Sequence, residues 1–100
     1  MAQPASLSPS EIQQRLKALP HWRLENGAIV REYQTDGWPT TLMLVNAIGF
    51  VAEAANHHPD LSVTWARVGV KLQTHSAGGI TDKDFSLARQ IEAAAKDQLA

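Results

Sequence analysis

The feature that most constrains this 100-residue chain is an apolar segment at helical spacing, from Trp38 to His57. Its apolar side chains fall on several adjacent stripes and cover most of the circumference of the helix. They are Leu42, Met43, Leu44, Val45, Ala47, Ile48, Phe50, Val51, Ala52, Ala54 and Ala55. A helix this apolar is usually buried on two sides. One side can pack on the protein's own sheet, so we expect a partner subunit to cover the other.

Two more helices are predicted from their start signals. Ser8 and Glu11 form a capping-box pattern, and the helix that follows is expected to end at Pro20. Thr81 and Asp84 form a similar pattern at the start of the last helix, which places Asp84 at its third position. That position alone accounts for Asp84, so we assign it to the helix start.

Four strands are predicted between these helices. They cover residues 22–24, 28–34, 61–65 and 68–72. The Asn26-Gly27 pair between the first two is a hairpin signal. The resulting order, α-β-β-α-β-β-α, predicts an α+β fold: a four-stranded antiparallel sheet with helices packed mainly on one face. We expect a flexible N-terminal tail at residues 1–7 and a single domain at residues 8–100.

Composition excludes several classes of function. The chain has nine basic and ten acidic residues and a net charge of −1, without a basic run, so nothing supports binding to nucleic acid or to an anionic membrane. Cysteine is absent, which excludes disulfides, thiolate catalysis and Cys-ligated metal. Residues 1–7 do not resemble a signal peptide, and no apolar run is long enough to span a membrane. We therefore expect a cytoplasmic protein.

Three histidines mark the candidate site. Glu53 and His57 stand four positions apart and would share a helix face, and Pro59 after His58 is expected to close that helix. His75 lies near the predicted end of the last strand. If the fold brings this strand end to the helix end, three imidazoles and one or two carboxylates meet. Imidazole is the side chain best matched to proton transfer near neutral pH, so the pattern predicts acid–base chemistry.

These residues belong to a longer frame. The frame reads Glu53-x3-His57-His58-Pro59-x5-Trp65-x9-His75-x8-Asp84. It resembles the signature of the pterin-4a-carbinolamine dehydratases, and the resemblance extends over about residues 8–98. It implies a hydro-lyase that dehydrates 4a-hydroxytetrahydropterin to quinonoid dihydropterin and so recycles the pterin cofactor of aromatic amino acid hydroxylases. It also implies catalysis without a metal or organic cofactor, by a homodimer or homotetramer.

The resemblance implies a role for each residue. His57 and His75 would act on the leaving hydroxyl and shuttle the proton. His58 would position the pterin ring or act as the base at its N5 atom. Glu53, one helical turn before His57, would orient that imidazole or bind the pterin.

Four further residues are expected to bind the substrate. Backbone groups near Asn56 and from Thr74 to Ser76 would hold the polar edge of the pterin, although many family members have aspartate at the position of Asn56. Trp22 stands where the family often has a tryptophan near its site.

Other interpretations of the same residues remain open. His57 and His58 could simply cap a helix C-terminus, where the helix dipole favours a charged imidazole. Three histidines and a glutamate could in principle bind zinc, but adjacent histidines rarely chelate one ion together. The alternative function is a non-catalytic or dual-role scaffold, a dimerisation or assembly factor on the same fold, because fold alone does not decide function.

Overall fold

A computed structural model describes residues 5–99 and confirms the predicted α+β class and element order. The elements are α1 (Pro9–Leu16), β1 (Arg23–Glu25), β2 (Ala28–Gln34), α2 (Trp38–Ala55), β3 (Asp60–Thr64), β4 (Arg67–Leu72) and α3 (Asp82–Leu99). A 3₁₀ turn at His75–Ala77, which the sequence did not predict, precedes α3. The four strands pair antiparallel throughout in the order β1-β2-β4-β3.

The local signals explain most of these boundaries. At the start of α1 the Ser8 hydroxyl accepts the Glu11 N–H at 3.2 Å, and the Glu11 carboxylate accepts the Ser8 N–H at 3.0 Å. This is the predicted capping box. Strand β1 begins one residue later than expected, because Trp22 N–H bonds to the Leu19 carbonyl in the preceding turn. Trp65, expected at the end of a strand, lies in the turn between β3 and β4.

The helices cover one face of the sheet. In β4, Val68, Val70 and Leu72 are buried, while the alternate residues Arg67 and Lys71 are exposed. This period of two is the pattern of a sheet with one face in the core. The core facing that side contains Leu44, Ile48 and Ala52 of α2, and Phe85, Leu87, Ala88, Ile91 and Ala95 of α3.

The second apolar side of α2 is uncovered in the single chain. The α2 patch consists of Trp38, Leu42, Met43 and Phe50, all of them exposed. Phe50 is the extreme case, with 78% of its surface accessible. A patch of large apolar side chains on one helix is the kind of surface that usually meets another protein. Among residues 5–99 no helix is long and apolar enough to cross a membrane.

A half-buried carboxylate joins α3 to the sheet. Oε1 of Glu92 accepts three hydrogen bonds of 2.8 Å each, from Trp22 Nε1, Arg31 Nε and the Tyr33 hydroxyl. Burial by itself would raise the pKa of Glu92, but the bonds from Arg31, Tyr33 and Trp22 outweigh burial and lower that pKa. Burial, followed by the bond to Glu92, raises the pKa of Tyr33, which keeps this hydroxyl a donor.

Replacing Glu92 with glutamine should therefore change how stability depends on pH. We expect Glu92→Gln to lower the free energy of unfolding at pH 7 by about 1–3 kcal/mol, because charge-assisted bonds are lost. The pKa of Glu92 is lower in the folded state than its ordinary value of 4.5. The wild-type advantage is thus complete above that value and is lost as the pH falls through the folded-state pKa. Urea unfolding between pH 7 and 3 measures this difference.

A suitable control is Glu25→Gln, since Glu25 is exposed and pairs with the exposed Arg23. That change should alter stability by no more than about 0.5 kcal/mol at any pH. A gap between wild type and Glu92→Gln that stays constant down to pH 3 would contradict the prediction.

Candidate active site

The end of α2 sets the direction of His57. Helix α2 stops at Ala55, and Asn56 takes the left-handed conformation with φ 51°. The His57 N–H then donates to the Ala52 carbonyl at 3.2 Å, and the Asn56 N–H donates to the Glu53 carbonyl at 3.1 Å. This is a Schellman ending, and asparagine is one of the few residues that adopt it readily. The prediction that His57 belongs to α2 and shares a helix face with Glu53 is therefore wrong, because the helix ends at Ala55.

The His57 ring turns toward α3 and meets Asp84. The Nε2 atom of His57 lies 2.6 Å from Oδ1 of Asp84, whose side chain is fully buried. Oδ2 of the same carboxylate accepts the Thr74 hydroxyl at 2.8 Å and the Thr81 N–H at 2.9 Å. With Asp84 as a carboxylate, which only accepts hydrogen bonds, we assign a proton to Nε2 of His57, and Nδ1 is then left for other chemistry.

Asp84 therefore does more than the sequence indicated. Its bond to Thr81 N–H is the helix-start contact that its position predicted. Its other oxygen contacts the His57 ring, and no local pattern in the sequence indicated which histidine Asp84 would meet. The Thr81 hydroxyl completes the network at 2.8 Å from the Thr74 hydroxyl. In the described residues no buried side-chain polar atom lacks a partner.

Glu53 pairs with a different histidine from the one expected. Oε1 of Glu53 lies 2.8 Å from Nε2 of His58, and both side chains are mostly exposed. Of the two roles expected for Glu53, orienting His57 does not fit the structure, because the left-handed residue Asn56 turns the chain and His58 returns over the last turn of α2. Binding of the pterin by Glu53 stays a prediction. The site thus contains two imidazole–carboxylate pairs, His57 with Asp84 and His58 with Glu53.

His75 is held through its neighbour Thr74. Buried Thr74 bonds to Asp84, and the exposed His75 follows it directly, at the start of the 3₁₀ turn. The Thr74 N–H donates to the Gly79 carbonyl at 2.9 Å, and the Thr74 carbonyl accepts the Ala77 N–H at 3.1 Å. One carboxylate therefore links the end of α2, which bears His57 and His58, to the loop that bears His75.

The expected substrate-binding residues fall into two groups. Ser76 is exposed beside His75, and Asn56 lies directly before His57. The hydroxyl of Thr74 is already bonded in the core, and its backbone N–H and carbonyl are bonded within the loop. Asn56 and Ser76 are exposed, and a contact of either residue with the pterin stays a prediction.

Trp22 does not join the histidines. It is only 3% exposed, and its indole N–H is taken by Glu92. Glu92 follows Asp84 by eight positions on α3, about 12 Å along the helix axis. The geometry gives Trp22 a place in the core, and a contact with substrate stays a prediction from the family resemblance.

An open cavity of about 240 Å³ borders His57. It is lined by Ala55, His57, Asp82, Lys83, Ser86 and Leu87. This volume is below the range of about 300 to 1,000 Å³ that is usual for small-molecule sites, and neither His58 nor His75 lines the cavity. Within residues 5–99, no three histidine, cysteine, aspartate or glutamate side chains converge as a metal-binding group.

Comparison with known proteins identifies the family. The model of the family described as pterin 4 alpha carbinolamine dehydratase matches residues 5–94. The chain belongs to this family. A relative from Chloroflexus aurantiacus, named "Putative pterin-4-alpha-carbinolamine dehydratase", is 45% identical over 86 residues, covering 86% of this chain and 92% of the relative. One of the same name from Aquifex aeolicus is 45% identical over 93 residues, covering 93% and 94%.

Two solved structures resemble the fold. The crystal structure of a transcriptional coactivator/pterin dehydratase from Brucella melitensis matches with a TM-score of 0.86 and 33% identity, over 90% of this chain and 98% of that one. A pterin dehydratase-like protein, a RuBisCO assembly factor in the alpha-carboxysome, matches with a TM-score of 0.61 and 15% identity, over 74% and 86%. At that identity the second likeness concerns the fold alone.

Asp84→Asn should disturb both the fold and the His57 ring. An amide cannot accept at both ends, so either His57 or the Thr74–Thr81 side loses its acceptor. We expect a loss of about 1–3 kcal/mol in the free energy of unfolding and a mixture of His57 tautomers. Thermal unfolding and the ¹⁵N shifts of the ring nitrogens measure these effects.

Asp97→Asn is the matched control, because Asp97 is exposed on the same helix, thirteen positions after Asp84. It should leave the His57 ring signals unchanged. If Asp84→Asn kept the wild-type ¹⁵N pattern, Asp84 would not be what orients His57.

Proposed function

We propose that this protein dehydrates 4a-hydroxytetrahydropterin to quinonoid dihydropterin by histidine acid–base catalysis, and so recycles the pterin cofactor of aromatic amino acid hydroxylases. The observation that carries the proposal is that the buried carboxylate of Asp84 bonds to His57, at the end of α2 beside His58, and to Thr74, the residue before His75. Membership of the family supports the substrate class. Similarity of fold alone would not support the substrate class, because one fold can serve several functions.

The reaction requires two proton transfers. An imidazolium gives a proton to the hydroxyl on C4a, the C4a–O bond breaks and water leaves. A neutral imidazole removes the proton from N5, and the electron pair of that N–H bond forms the C4a=N5 double bond. One proton enters and one leaves, so the protein is restored by exchange with solvent, and the reaction as written requires neither metal nor organic cofactor.

The two carboxylate pairs suggest how the roles are divided. Glu53 accepts from Nε2 of the exposed His58, which leaves Nδ1 of that ring as a proton acceptor, so we assign His58 to positioning the ring and to N5. His57, oriented by Asp84, and His75, exposed in the loop, are assigned to the hydroxyl and the proton shuttle. Backbone groups at Asn56 and Ser76 would hold the polar edge of the pterin.

Loss of a histidine should slow turnover. We expect His57→Ala and His75→Ala each to reduce the dehydration rate at least about tenfold, since positioned acid–base groups typically contribute roughly 10²–10⁴-fold. The assay follows freshly generated 4a-hydroxytetrahydropterin in the ultraviolet. His21→Ala is the matched control, because His21 is an exposed histidine outside the frame, and it should keep wild-type activity.

Wild-type protein that was no faster than buffer would refute the dehydratase proposal. Full activity in both His57→Ala and His75→Ala would be compatible with a dehydratase but would refute the assignment of catalysis to these two histidines.

We also propose that the protein is a homodimer or homotetramer. The α2 patch of Trp38, Leu42, Met43 and Phe50 is exposed in the single chain and lies on the side of α2 that does not face the sheet. A second copy would remove these side chains from water, which is worth about 25 cal/mol for each Å² of apolar surface.

A charge in the α2 patch should dissociate the oligomer. We expect Phe50→Glu to sediment as a monomer at micromolar concentration with an unchanged circular dichroism spectrum, because Phe50 makes no part of the core. Gln90→Glu on the exposed side of α3 is the control and should sediment like wild type. Wild-type protein found only as a monomer at that concentration would contradict the proposal.

A scaffold function on the same fold is the second candidate. The specific observation in its favour is the α2 patch, which would equally suit a different protein partner. The dehydration assay separates the two, because a scaffold has no need for an imidazole oriented by a buried carboxylate beside two further histidines. An inactive wild-type protein that still forms a stable complex through Phe50 would favour the scaffold.

A further inference from the structure

The described part of the N-terminal segment lies against the loop that bears His75. Ser6 donates its hydroxyl to the Ala77 carbonyl at 2.7 Å. The next residue, Leu7, donates its N–H to the Ile80 carbonyl at 2.8 Å, and its side chain packs against the core. Residues 1–7 were expected to be a loose tail. Residues 1–4 lie outside the described residues, but Ser6 and Leu7 are bonded to the domain.

The His75 loop, residues 74–79, is thus held from two directions. On its inner side the Thr74 hydroxyl bonds to the buried Asp84. On its outer side the bond from Ser6 reaches Ala77, two residues after His75. The 3₁₀ turn begins directly after Thr74 and ends at Ala77, and Gly78 follows it with φ 69°. Inside the loop, Thr74 and Gly79 bond to each other in both directions, and the Ala77 and Gly78 N–H groups donate to the Thr74 and His75 carbonyls. The Ser6 hydroxyl adds a contact from outside to these internal bonds, and exposed loops open locally at low free-energy cost.

Gly79 shows how closely Ser6 approaches this loop. A Cβ atom added at Gly79 would lie 3.1 Å from the Ser6 hydroxyl oxygen, closer than an ordinary contact. The φ of Gly79 is outside the left-handed region that glycine favours, unlike that of Gly78. Space beside Ser6, and not backbone conformation, is therefore what limits the side chain at position 79.

We propose that Ser6 is a positioning residue, whose hydroxyl holds the His75 loop in place from outside. The consequence for catalysis rests on the function proposed above. The consequence for the loop does not rest on that function, because the position of the loop depends on the contacts of Ser6 with Ala77 and Gly79. Ser6 is exposed and lies outside the core, so its effect is local to the loop.

The first test compares Ser6→Ala, Ser6→Thr and Ser10→Ala by NMR. Loss of one ordinary hydrogen bond should increase opening of the loop about three- to tenfold. We expect the Ala77 and Gly78 amides of Ser6→Ala to exchange faster by that factor, and the His75 ring signals to shift. Ser6→Thr keeps the hydroxyl and should restore both. Ser10→Ala, which loses only a hydroxyl contact with Ser8, should match wild type.

The same variants are then assayed with the pterin carbinolamine. Ser6→Ala should lower kcat, by at most about the three- to tenfold increase in loop opening, because turnover follows the fraction of molecules whose loop is closed. The midpoint of thermal unfolding should stay close to that of Ser10→Ala, because the loss is confined to the loop. A merely structural role would move the unfolding midpoint and leave the His75 ring signals alone.

The second test is a double-mutant cycle between Ser6 and Gly79. Gly79→Ala should shift the His75 ring signals in the wild-type background, because the new methyl group displaces the Ser6 side chain. In the Ser6→Gly background there is room for the methyl group, and the same change should have a smaller effect. Equal shifts in both backgrounds would overturn the proposed contact.

These readouts separate the two proposals. Exchange rates and ring signals require no turnover, so they decide the role of Ser6 even if wild-type protein proves inactive. If wild type is active but Ser6→Ala keeps its exchange rates, ring signals and kcat, Ser6 does not position the loop and the dehydratase proposal stands.

Discussion

The buried carboxylate of Asp84 is the contact on which the candidate site depends. A buried charge is costly unless each oxygen finds donors, and here Oδ1 meets His57 while Oδ2 meets Thr74 and Thr81. Three separate parts of the chain, the end of α2, the loop after β4 and the start of α3, must therefore meet at one point. The low dielectric that makes an unpaired carboxylate costly also strengthens its bond to the imidazole.

A second carboxylate on the same helix has a different task. Glu92 accepts from Trp22, Arg31 and Tyr33 and so joins α3 to the first hairpin. None of these donors is a proton-transfer group near neutral pH, since burial raises the pKa of Tyr33. Helix α3 thus carries one carboxylate that orients a histidine and another that holds the sheet, and the identity of the donors distinguishes them.

Local sequence patterns predicted the elements well but not the partners of the site residues. The capping box at Ser8 and the Asn26-Gly27 turn depend on residues within a few positions, so they can be read directly. The pairing of Glu53 was predicted wrongly, because it assumed that α2 continues through His57. The positive φ of Asn56 ends the helix before His57, and the Glu53 carboxylate therefore pairs with His58. Asparagine permits that conformation without requiring it, so the error was not visible in the sequence.

The sequence by itself determined the element order, the α+β class and which histidines stand near helix and strand ends, because these follow from periodicity and capping over short distances. It also placed Asp84 at the third position of α3. Only the tertiary structure decided that Oδ1 of Asp84 bonds to His57, 27 residues away along the chain. It likewise decided that Trp22 bonds to Glu92 and that Ser6 reaches Ala77. These long-range contacts depend on which distant surfaces pack together. They form where a donor or acceptor that has no partner in its own helix, strand or turn meets one from elsewhere in the chain.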